Sequence, residues 1–315
     1  MKVLLASPRG FCAGVNMAIE SLDLALASLE PPIYVYHEIV HNKYVVDTFR
    51  AKGAVFVDDL ADVPPEATLL FSAHGVSPEI RRIARERRLR AIDATCPLVT
   101  KVHIEAVRFA REGYAILLIG HEGHDETIGT MGEAPDHIRV VGTKEEAETV
   151  QVPDPEHVSY LTQTTLSLDD TAEIVAVLKR RFPKLVQPHK DDICYATQNR
   201  QNAVKMMVPH MDMLLVLGAP NSSNSVRLRE VAESKGAKSH LIERATDIRP
   251  EWLHGVKRLG LTASASAPEI LVQEVVDRCK KEFGVRNVEE FETVEEDIVF
   301  SLPYELEQLI KKGKP

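Results

Sequence analysis

The chain has 315 residues, of which 44% are hydrophobic and 27% charged, a composition typical of a globular protein. Its formal net charge of −9 argues against non-specific nucleic-acid binding and against a lysine-rich phosphate site. No apolar run approaches about 18 residues, so no membrane span is expected. Four cysteines in a chain of this length favour reduced thiols over a disulfide framework, and hence a cytoplasmic protein.

The N-terminal stretch places Cys12 between a short apolar strand and an amphipathic helix, whose apolar residues recur at helical spacing from Val15 onward. The same arrangement returns at Cys96 and again at Cys194. Each of these cysteines is expected at the start of a helix, and Pro97 supports this for Cys96 because proline favours the first helical position. We therefore expect the three cysteines to meet at one site.

Between the cysteines the chain repeats one series of elements three times. In each copy, a helix after the cysteine leads to an apolar strand with a polar tip, then a shorter strand, then another strand with a polar tip. The first strands of the three copies are residues 33–40, 115–119 and 213–217. In the third copy the closing strand is expected at 285–291 and carries no cysteine, so that Cys12 completes the set of three.

Strands that alternate with helices predict parallel βαβ units, in which the strand carboxyl ends share one edge of a sheet. We predict an α/β fold of three small lobes with parallel sheets, arranged as a pseudo-threefold trefoil. The lobes are residues 1–96, 97–194 and 195–284, and residues 285–315 form a C-terminal strap. The alternative fold is one doubly wound sheet with an appendage.

Three thiolates drawn from three lobes suit a [4Fe–4S] cluster with one iron that no protein side chain binds. That open iron would act as a Lewis acid on a substrate oxygen. No CxxC motif occurs, which argues against a zinc finger. The alternative is that the cysteines are buried structural residues. Cys279 lies in an apolar helical pattern with no polar tip nearby, and we interpret it as a packing residue.

The polar strand tips supply a second group of candidate residues. They are neutral or switchable hydrogen-bond donors, which can hold a diphosphate without lysines when helix N-termini lie nearby. The alternative for the histidines is a capping or core role, and for the serines ordinary helix N-capping. The candidates are His41, His74, His124, Thr164, Thr165, Ser222, Ser223, Asn224 and Ser266.

Glu126 follows His124 by two residues in a glycine-rich turn. A carboxylic acid beside a histidine, in a site closed to water, can deliver a proton to a departing hydroxyl group. The alternative is a solvated turn glutamate. The aspartates that precede the cysteines, Asp93, Asp191 and Asp192, are assigned only turn or capping roles.

Ten motifs in order resemble the family of 4-hydroxy-3-methylbut-2-enyl diphosphate reductases, also called the LytB family. Asp125 and Ser264 depart from the proline and glycine that are common in the family, which bears on the rigidity of those two loops. The motifs are RGFCAGV at 9–15, EIVHN at 38–42, SAHGV at 72–76, DATCP at 93–97, GHEGH at 120–124, GTMG at 129–132, QTT at 163–165, ICYAT at 193–197, SSNS at 222–225 and ASAP at 265–268.

The resemblance implies a trefoil around one [4Fe–4S] cluster and the last step of non-mevalonate isoprenoid synthesis, the reductive dehydroxylation of an allylic diphosphate. By motif match, Cys12, Cys96 and Cys194 are the cluster ligands and Glu126 is the proton donor. The substrate-binding positions are His41, His74, His124, Thr164, Ser222, Ser223, Asn224 and Ser266.

The stretch at 10–14 is not a GxGxxG fingerprint, so no nicotinamide or flavin site is expected. Electrons are therefore expected from a separate ferredoxin- or flavodoxin-like protein. Two other functions stay open. One is a cluster-dependent hydro-lyase acting on a small anionic substrate, and the other is a cluster-based redox sensor or RNA-binding protein, which the acidic balance disfavours.

Overall fold

The computed structural model describes residues 1–313, and over these the chain is an α/β protein whose strands form three parallel sheets. The three-sheet α/β prediction is therefore confirmed. The first sheet has the order β3-β2-β4-β5 and the second has the order β7-β6-β8. Their strands are β2 (Ile33–Tyr36), β3 (Ala54–Val57), β4 (Thr68–Phe71), β5 (Arg90–Asp93), β6 (Ala115–Ile119), β7 (Ile138–Val141) and β8 (Val158–Thr162).

The third sheet has five strands in the order β10-β9-β11-β1-β12. They are β1 (Lys2–Ser7), β9 (Met213–Leu217), β10 (Lys238–Ile242), β11 (Arg258–Ala263) and β12 (Asn287–Glu292). Each sheet contains three neighbouring strands in the same order: β2, β6 and β9 each lie between the two strands that follow them in the chain. This shared order is the structural form of the repeat found in the sequence.

The N-terminal strand β1 lies in the five-stranded sheet, although the sequence analysis grouped it with residues 14–96. It pairs in parallel with β11 on one side and β12 on the other. It thus takes the place that β5 holds in the first sheet, and the closing strand expected at 285–291 is the edge strand beyond it. Because β1 has a parallel strand on each side, Val3 and Ala6 are completely buried. A strand at the edge of the sheet would be open on one side.

Short 3-10 helices lie between β3 and β4 and between β10 and β11, whereas α-helices connect most consecutive strands. They are α1 (Ala13–Ser28), α2 (Lys43–Ala51), α3 (Pro78–Glu86), α4 (Pro97–Arg111), α5 (Asp125–Glu133), α6 (Lys144–Thr149), α7 (Leu168–Arg181), α8 (Tyr195–Met207), α9 (Ser223–Ser234), α10 (Glu269–Glu282) and α11 (Tyr304–Gly313). Several starts follow directly from the sequence: Ser77 caps α3 ahead of Pro78, and Thr143 caps α6. Within residues 1–313, no helix is both long and apolar enough to cross a membrane.

The described chain divides into two compact units. The first unit contains Met1–Ala13, His41–Val45 and Tyr195–Ile298, and its core packs on both faces of the five-stranded sheet. The second unit contains Gly14–Val40, Val46–Cys194 and the C-terminal part from Val299, with cores against each of the other two sheets. The division into three lobes and a strap stays a prediction.

Three local expectations differ from the structure. The strand expected at 33–40 ends at Tyr36, because His37 takes a left-handed backbone conformation with φ 59°. Within the described residues no strand lies between β8 and Cys194; Val186 forms only an isolated bridge with Ser159. The tail contains helix α11, which the sequence analysis did not predict.

Candidate active site

Cys96 is the N-cap residue of α4 in the second unit, with Pro97 at the first helical position. Its backbone N–H donates to the carbonyl of Ala73 (3.0 Å), which ties the helix start to the loop that carries His74. Asp93 accepts from the backbone N–H of Thr95 (3.0 Å) and from its hydroxyl. Cys96 is therefore a partly exposed cysteine at a helix N-terminus.

Cys194 directly precedes α8 and is also partly exposed. Its backbone N–H donates to the carbonyl of Thr164 (3.1 Å), so the cysteine is fixed to the segment that follows β8. Cys12 also stands at the start of a helix, because it directly precedes α1. None of the four cysteines, all within the described residues, is in a disulfide bond. The expectation that three cysteines begin helices is confirmed.

The segment before Cys194 is held by a buried ion pair that the sequence analysis missed. Lys101 of α4 binds the Asp192 carboxylate (2.9 Å) and the carbonyls of Lys190 and Asp191. Asp192 also accepts from the backbone N–H of Thr162 (3.0 Å). Burial raises the pKa of Asp192 to about 6, although Lys101 opposes that rise. Asp192 therefore does more than the turn role assigned to it, since it links α4, β8 and the Cys194 loop.

Glu126 lies in the first turn of α5 and is 3% exposed, so it is not a solvated turn residue. The N-cap residue His124 accepts from the backbone N–H of Glu126 through Nδ1 (3.2 Å). The carboxylate accepts two hydrogen bonds from Thr164, one from its backbone N–H (2.6 Å) and one from its hydroxyl (3.1 Å).

Burial raises the pKa of Glu126 to about 7, against the hydrogen bonds from Thr164 and with help from the negative charge of Asp192. A carboxyl group with this pKa exchanges a proton near neutral pH. Thr164 thus hydrogen-bonds both the Glu126 carboxylate and the backbone of Cys194.

His74 and His124 meet edge to face, with ring centroids 6.0 Å apart. His74 lies after β4, and its Nδ1 contacts the Ser72 hydroxyl (3.3 Å). Gly75 has φ +80°, and a Cβ there would lie 3.1–3.3 Å from Thr95, Val99 and His103. Glycine is therefore needed at this position for both the backbone conformation and the close packing beneath the His74 loop.

Asp125, where the resembling family often has proline, forms an ion pair with His37 (Nδ1 to Oδ1, 2.9 Å). The hydrogen bond to Asp125 raises the pKa of His37, against its partial burial. The pair joins the loop after β2 to the first turn of α5, one residue before Glu126. In this chain the Asp125–His37 ion pair restrains the turn at the position where a proline is common in the resembling family.

The first unit brings a second set of predicted residues together at the carboxyl ends of β9 and β11. The Ser266 hydroxyl donates to the carbonyl of His41 (3.2 Å) and lies 3.5 Å from the Ser222 hydroxyl. Asn224 accepts from the backbone N–H of Ala265 (3.0 Å) and donates to Thr197 (3.3 Å). The residues buried in this polar cluster are Ser222, Ser223, Asn224, Ser264 and Ser266.

Helix α9 begins inside this polar cluster. Ser222 is its N-cap residue and accepts from the backbone N–H of Ser225 (3.4 Å), so the N-capping interpretation holds for Ser222. Ser264 and Ser266 do not cap α10, whose N-cap position is Pro268. A Cβ at Gly218 would lie 2.1 Å from the Ser225 hydroxyl oxygen, so the chain passes very close to the helix start. The cluster combines a helix N-terminus with neutral donors, a combination suited to an anion.

Two residues of α8 hold the loop that carries Cys12. Arg200, which is 0% exposed, donates twice to the carbonyl of Gly10 (2.7 and 3.2 Å) and once to that of Ala196 (3.0 Å). Glu296 compensates its charge at 3.1 Å. The Tyr195 hydroxyl accepts from the backbone N–H of Ala13 (3.4 Å), and burial raises the pKa of Tyr195 to about 12. An arginine in an amphipathic helix gives no sequence signal of burial, so Arg200 was not predicted.

Cys279 differs from the other three cysteines. It is 0% exposed in the core of the first unit, and burial raises the pKa of its thiol to about 11. A neutral thiol among apolar side chains is a packing residue, which fits the interpretation from the sequence.

Comparison with known proteins identifies the same family along nearly the whole chain. The family model described as LytB protein matches residues 3–280. A 4-hydroxy-3-methylbut-2-enyl diphosphate reductase of Azoarcus sp. is 54% identical over 98% of each chain. The reductase of that name from Mycolicibacterium paratuberculosis is 56% identical over 97% of this chain and 92% of its own.

Two solved structures share the fold. The E-1-hydroxy-2-methyl-but-2-enyl-4-diphosphate reductase of Plasmodium falciparum aligns with a TM-score of 0.96 at 39% identity, and the alignment covers 98% of both chains. An (E)-4-hydroxy-3-methyl-but-2-enyl diphosphate reductase, the terminal enzyme of the non-mevalonate pathway, aligns with a TM-score of 0.65 at 30% identity. The latter alignment covers 89% of this chain and 99% of that one.

Proposed function

Because the chain belongs to the LytB family, we propose that it reductively dehydroxylates (E)-4-hydroxy-3-methylbut-2-enyl diphosphate. The allylic carbon–oxygen bond breaks, and the oxygen leaves as water after it takes up a proton. Two electrons enter the carbon skeleton and a second proton adds to it, which yields isopentenyl or dimethylallyl diphosphate. The observation that carries this proposal is the buried Glu126, whose pKa of about 7 suits proton delivery beside His124 and Thr164.

The proposed cofactor is one [4Fe–4S] cluster held by Cys12, Cys96 and Cys194, with one iron left open. The donor set supports it: these three cysteines are partly exposed at helix starts, whereas Cys279 is buried in a core. Such a cluster, when bound, supplies electrons one at a time and a Lewis-acidic iron. Thiolate ligands also fit the reducing conditions of a cytoplasm.

The proton donor is Glu126. In its protonated form the carboxyl group donates to the departing hydroxyl, and Thr164 holds it through two hydrogen bonds that also stabilise the carboxylate left behind. His124, the cap of α5, and His74, which meets it edge to face, supply further donors on the second unit. Since Glu126 is 3% exposed, bulk water does not compete for its proton.

The diphosphate is held by the neutral donors of His41, Ser222, Ser223, Asn224 and Ser266, together with His74. Hydroxyls and an amide at the start of α9 give an anion site without lysine. The hydrogen bonds among these groups in the first unit fix their orientation before substrate arrives. Positioning of the carbon skeleton in this way can contribute roughly 7–11 kcal/mol to barrier reduction.

The electrons come from a separate small protein of the ferredoxin or flavodoxin type, because the chain lacks the GxGxxG fingerprint of a nicotinamide or flavin site. A cluster-dependent hydro-lyase is the competing function, and it differs in one observable respect. A hydro-lyase turns over without a reductant, whereas the proposed reaction consumes two electrons for each product.

The test uses anaerobically purified protein. We expect broad absorbance near ~400 nm, typical of a [4Fe–4S] cluster, and a spectral change when the allylic diphosphate is added. With reduced methyl viologen present, dye oxidation and C5 diphosphate formation should proceed at two electrons for each product. Colourless protein that contains no iron, or product formation without reductant, would overturn the proposal.

A further inference from the structure

Residues 78–112 carry a charge opposite to that of the chain as a whole. They contain nine basic and five acidic side chains, a net charge of +4, whereas the chain has a net charge of −9. The segment comprises α3, β5 and α4 of the second unit, and its basic residues lie on both helices and in the stretch at 87–90 between them. Such an asymmetry steers an acidic partner towards one face of an otherwise acidic protein.

A groove of about 560 Å³ lies between α3, α4 and α5 within this positive segment. Its walls carry Arg81, Arg108 and Arg111, and Val107 and Ile104 line it with apolar surface. Ile104 is 64% exposed, more than the other exposed helical isoleucines, Ile128 and Ile270. An apolar centre surrounded by arginines is the composition of a protein interface rather than of a plain solvated face.

The carboxylates of the groove are already bound by neighbours. Glu133 binds Arg81 (2.9 Å) and His103 (2.9 Å), and these contacts hold the pKa of Glu133 below its ordinary value although burial alone would raise it. Glu112 lies 3.7 Å from Arg108. Arg111, by contrast, is exposed and forms no ion pair with any side chain that the structure describes. The groove therefore presents positive charge.

Arg85 extends the positive surface beyond the groove. It lies four residues after Arg81 on α3, on the same face of the helix, because residues four apart are neighbours on a helix surface. Arg85 is exposed and, among residues 1–313, has no ion-pair partner either. Two uncompensated cations are thus present: Arg111 in the groove wall, and Arg85 one turn of α3 beyond the wall residue Arg81.

The groove is connected to the proposed cluster site by a single helix. Helix α4 begins directly after Cys96, and the groove starts at Thr100, whose backbone N–H donates to the Cys96 carbonyl (3.0 Å). At a rise of about 1.5 Å per residue, Thr100 lies about 6 Å along the helix from that cysteine. A protein docked in the groove would therefore lie along the helix that begins directly after Cys96.

We propose that this groove is the docking surface for the electron donor, and that the donor is a small acidic iron–sulfur protein of the ferredoxin type. This rests on the proposed function, which requires electrons one at a time from outside the chain. An acidic donor complements Arg85 and Arg111, while Ile104 supplies the apolar contact that a transient complex buries at its centre.

The test compares two reductants on the anaerobic holoenzyme. Turnover is measured with increasing concentrations of an acidic [2Fe–2S] ferredoxin and, separately, with reduced methyl viologen, which needs no docking surface. The double variant Arg85→Glu/Arg111→Glu reverses both exposed cations. The matched control is Arg286→Glu, an equal change of charge at an exposed arginine of the first unit. Both reductants are used at about 10 mM and about 0.15 M salt, where the screening length falls from about 30 Å to about 8 Å.

We expect the double variant to raise the KM for ferredoxin at least about tenfold at low salt and to remove its salt dependence. Its cluster absorbance and its turnover with methyl viologen should equal those of the wild type, and Arg286→Glu should resemble the wild type in every assay. If the double variant loses its cluster, the single variant Arg111→Gln takes its place, with a smaller rise expected in the same direction.

An unchanged KM for ferredoxin overturns the proposal, and so does an equal loss with both reductants. The proposal is also overturned if turnover with a flavodoxin, but not with ferredoxin, depends on Arg85 and Arg111. The same holds if RNA competes with ferredoxin for the groove. Wild-type protein that fails to turn over even with methyl viologen contradicts the proposed function instead, so the two failures are distinguishable.

Discussion

The replacement Glu126→Gln tests the buried carboxyl group directly. Glutamine keeps the shape of the side chain, and Thr164 can still donate to its amide oxygen from the backbone N–H. The folded protein raises the pKa of Glu126 from 4.5 to about 7, so the folded state holds that proton more tightly than the unfolded chain. The difference corresponds to about 3 kcal/mol.

Because folding raises the pKa of Glu126, the free energy of unfolding decreases as the pH rises. A carboxyl group whose pKa is raised by folding contributes fully to the free energy of unfolding below about pH 4.5 and loses that contribution as the pH rises towards 7. The wild type should therefore lose about 3 kcal/mol relative to Glu126→Gln across this interval. Asp192, whose pKa is also raised, titrates in both proteins, so only its interaction with the Glu126 charge enters the comparison.

The measurement is urea unfolding of cluster-free protein at a series of pH values between about 4.5 and about 7.5, followed by circular dichroism. Glu122→Gln is the control, because Glu122 is exposed in the turn just before α5. It should follow the wild type at every pH. Parallel stability curves for the wild type and Glu126→Gln would refute the inference that Glu126 is buried with a strongly raised pKa.

Three further outcomes are expected. In turnover assays, Glu126→Gln should retain cluster absorbance but lose at least about a hundredfold in kcat, and turnover near that of the wild type would exclude Glu126 as proton donor. The kcat/KM of the wild type should fall above about pH 7, because the carboxyl group ionises there. Cys96→Ser should lose the absorbance near ~400 nm while Cys279→Ser keeps it, and equal spectra would contradict the ligand assignment. Glu296→Gln leaves the buried Arg200 uncompensated and should lower the free energy of unfolding by about 3 kcal/mol, against less than about 0.5 kcal/mol for its exposed neighbour Glu295→Gln.

The local pattern of apolar and polar residues predicts most of the strands but not the sheet to which each belongs. The strands at Ala115–Ile119 and Met213–Leu217 have the predicted bounds, because each is a short apolar run closed by a polar tip. The pairing of β1 with β11 and β12 joins residues more than 250 positions apart, and nothing within residues 2–7 indicates that choice. Helix α11 follows a proline-containing acidic stretch whose composition resembles a loop.

In the site, the sequence likewise did not indicate which charged residues are removed from solvent. Glu126 was singled out because a carboxylic acid beside His124 has an evident chemical use. The residues that hold the site in place were missed, since Lys101, Asp192 and Arg200 have the composition of solvated helix and turn positions. Their burial depends on partners elsewhere in the chain, such as Gly10 for Arg200. Sequence thus predicts candidate chemical groups, whereas the contacts that support them are visible only in the three-dimensional structure.

The place of β1 between β11 and β12 has a consequence for biosynthesis. A nascent chain leaves the ribosome from its N-terminus, but β1 has no partner until residues 258–292 have been translated. The loop that carries Cys12 follows β1 directly, so it reaches its final geometry only when synthesis is nearly finished. If Cys12 holds the proposed cluster, that cluster can be completed only on a chain whose synthesis is nearly finished.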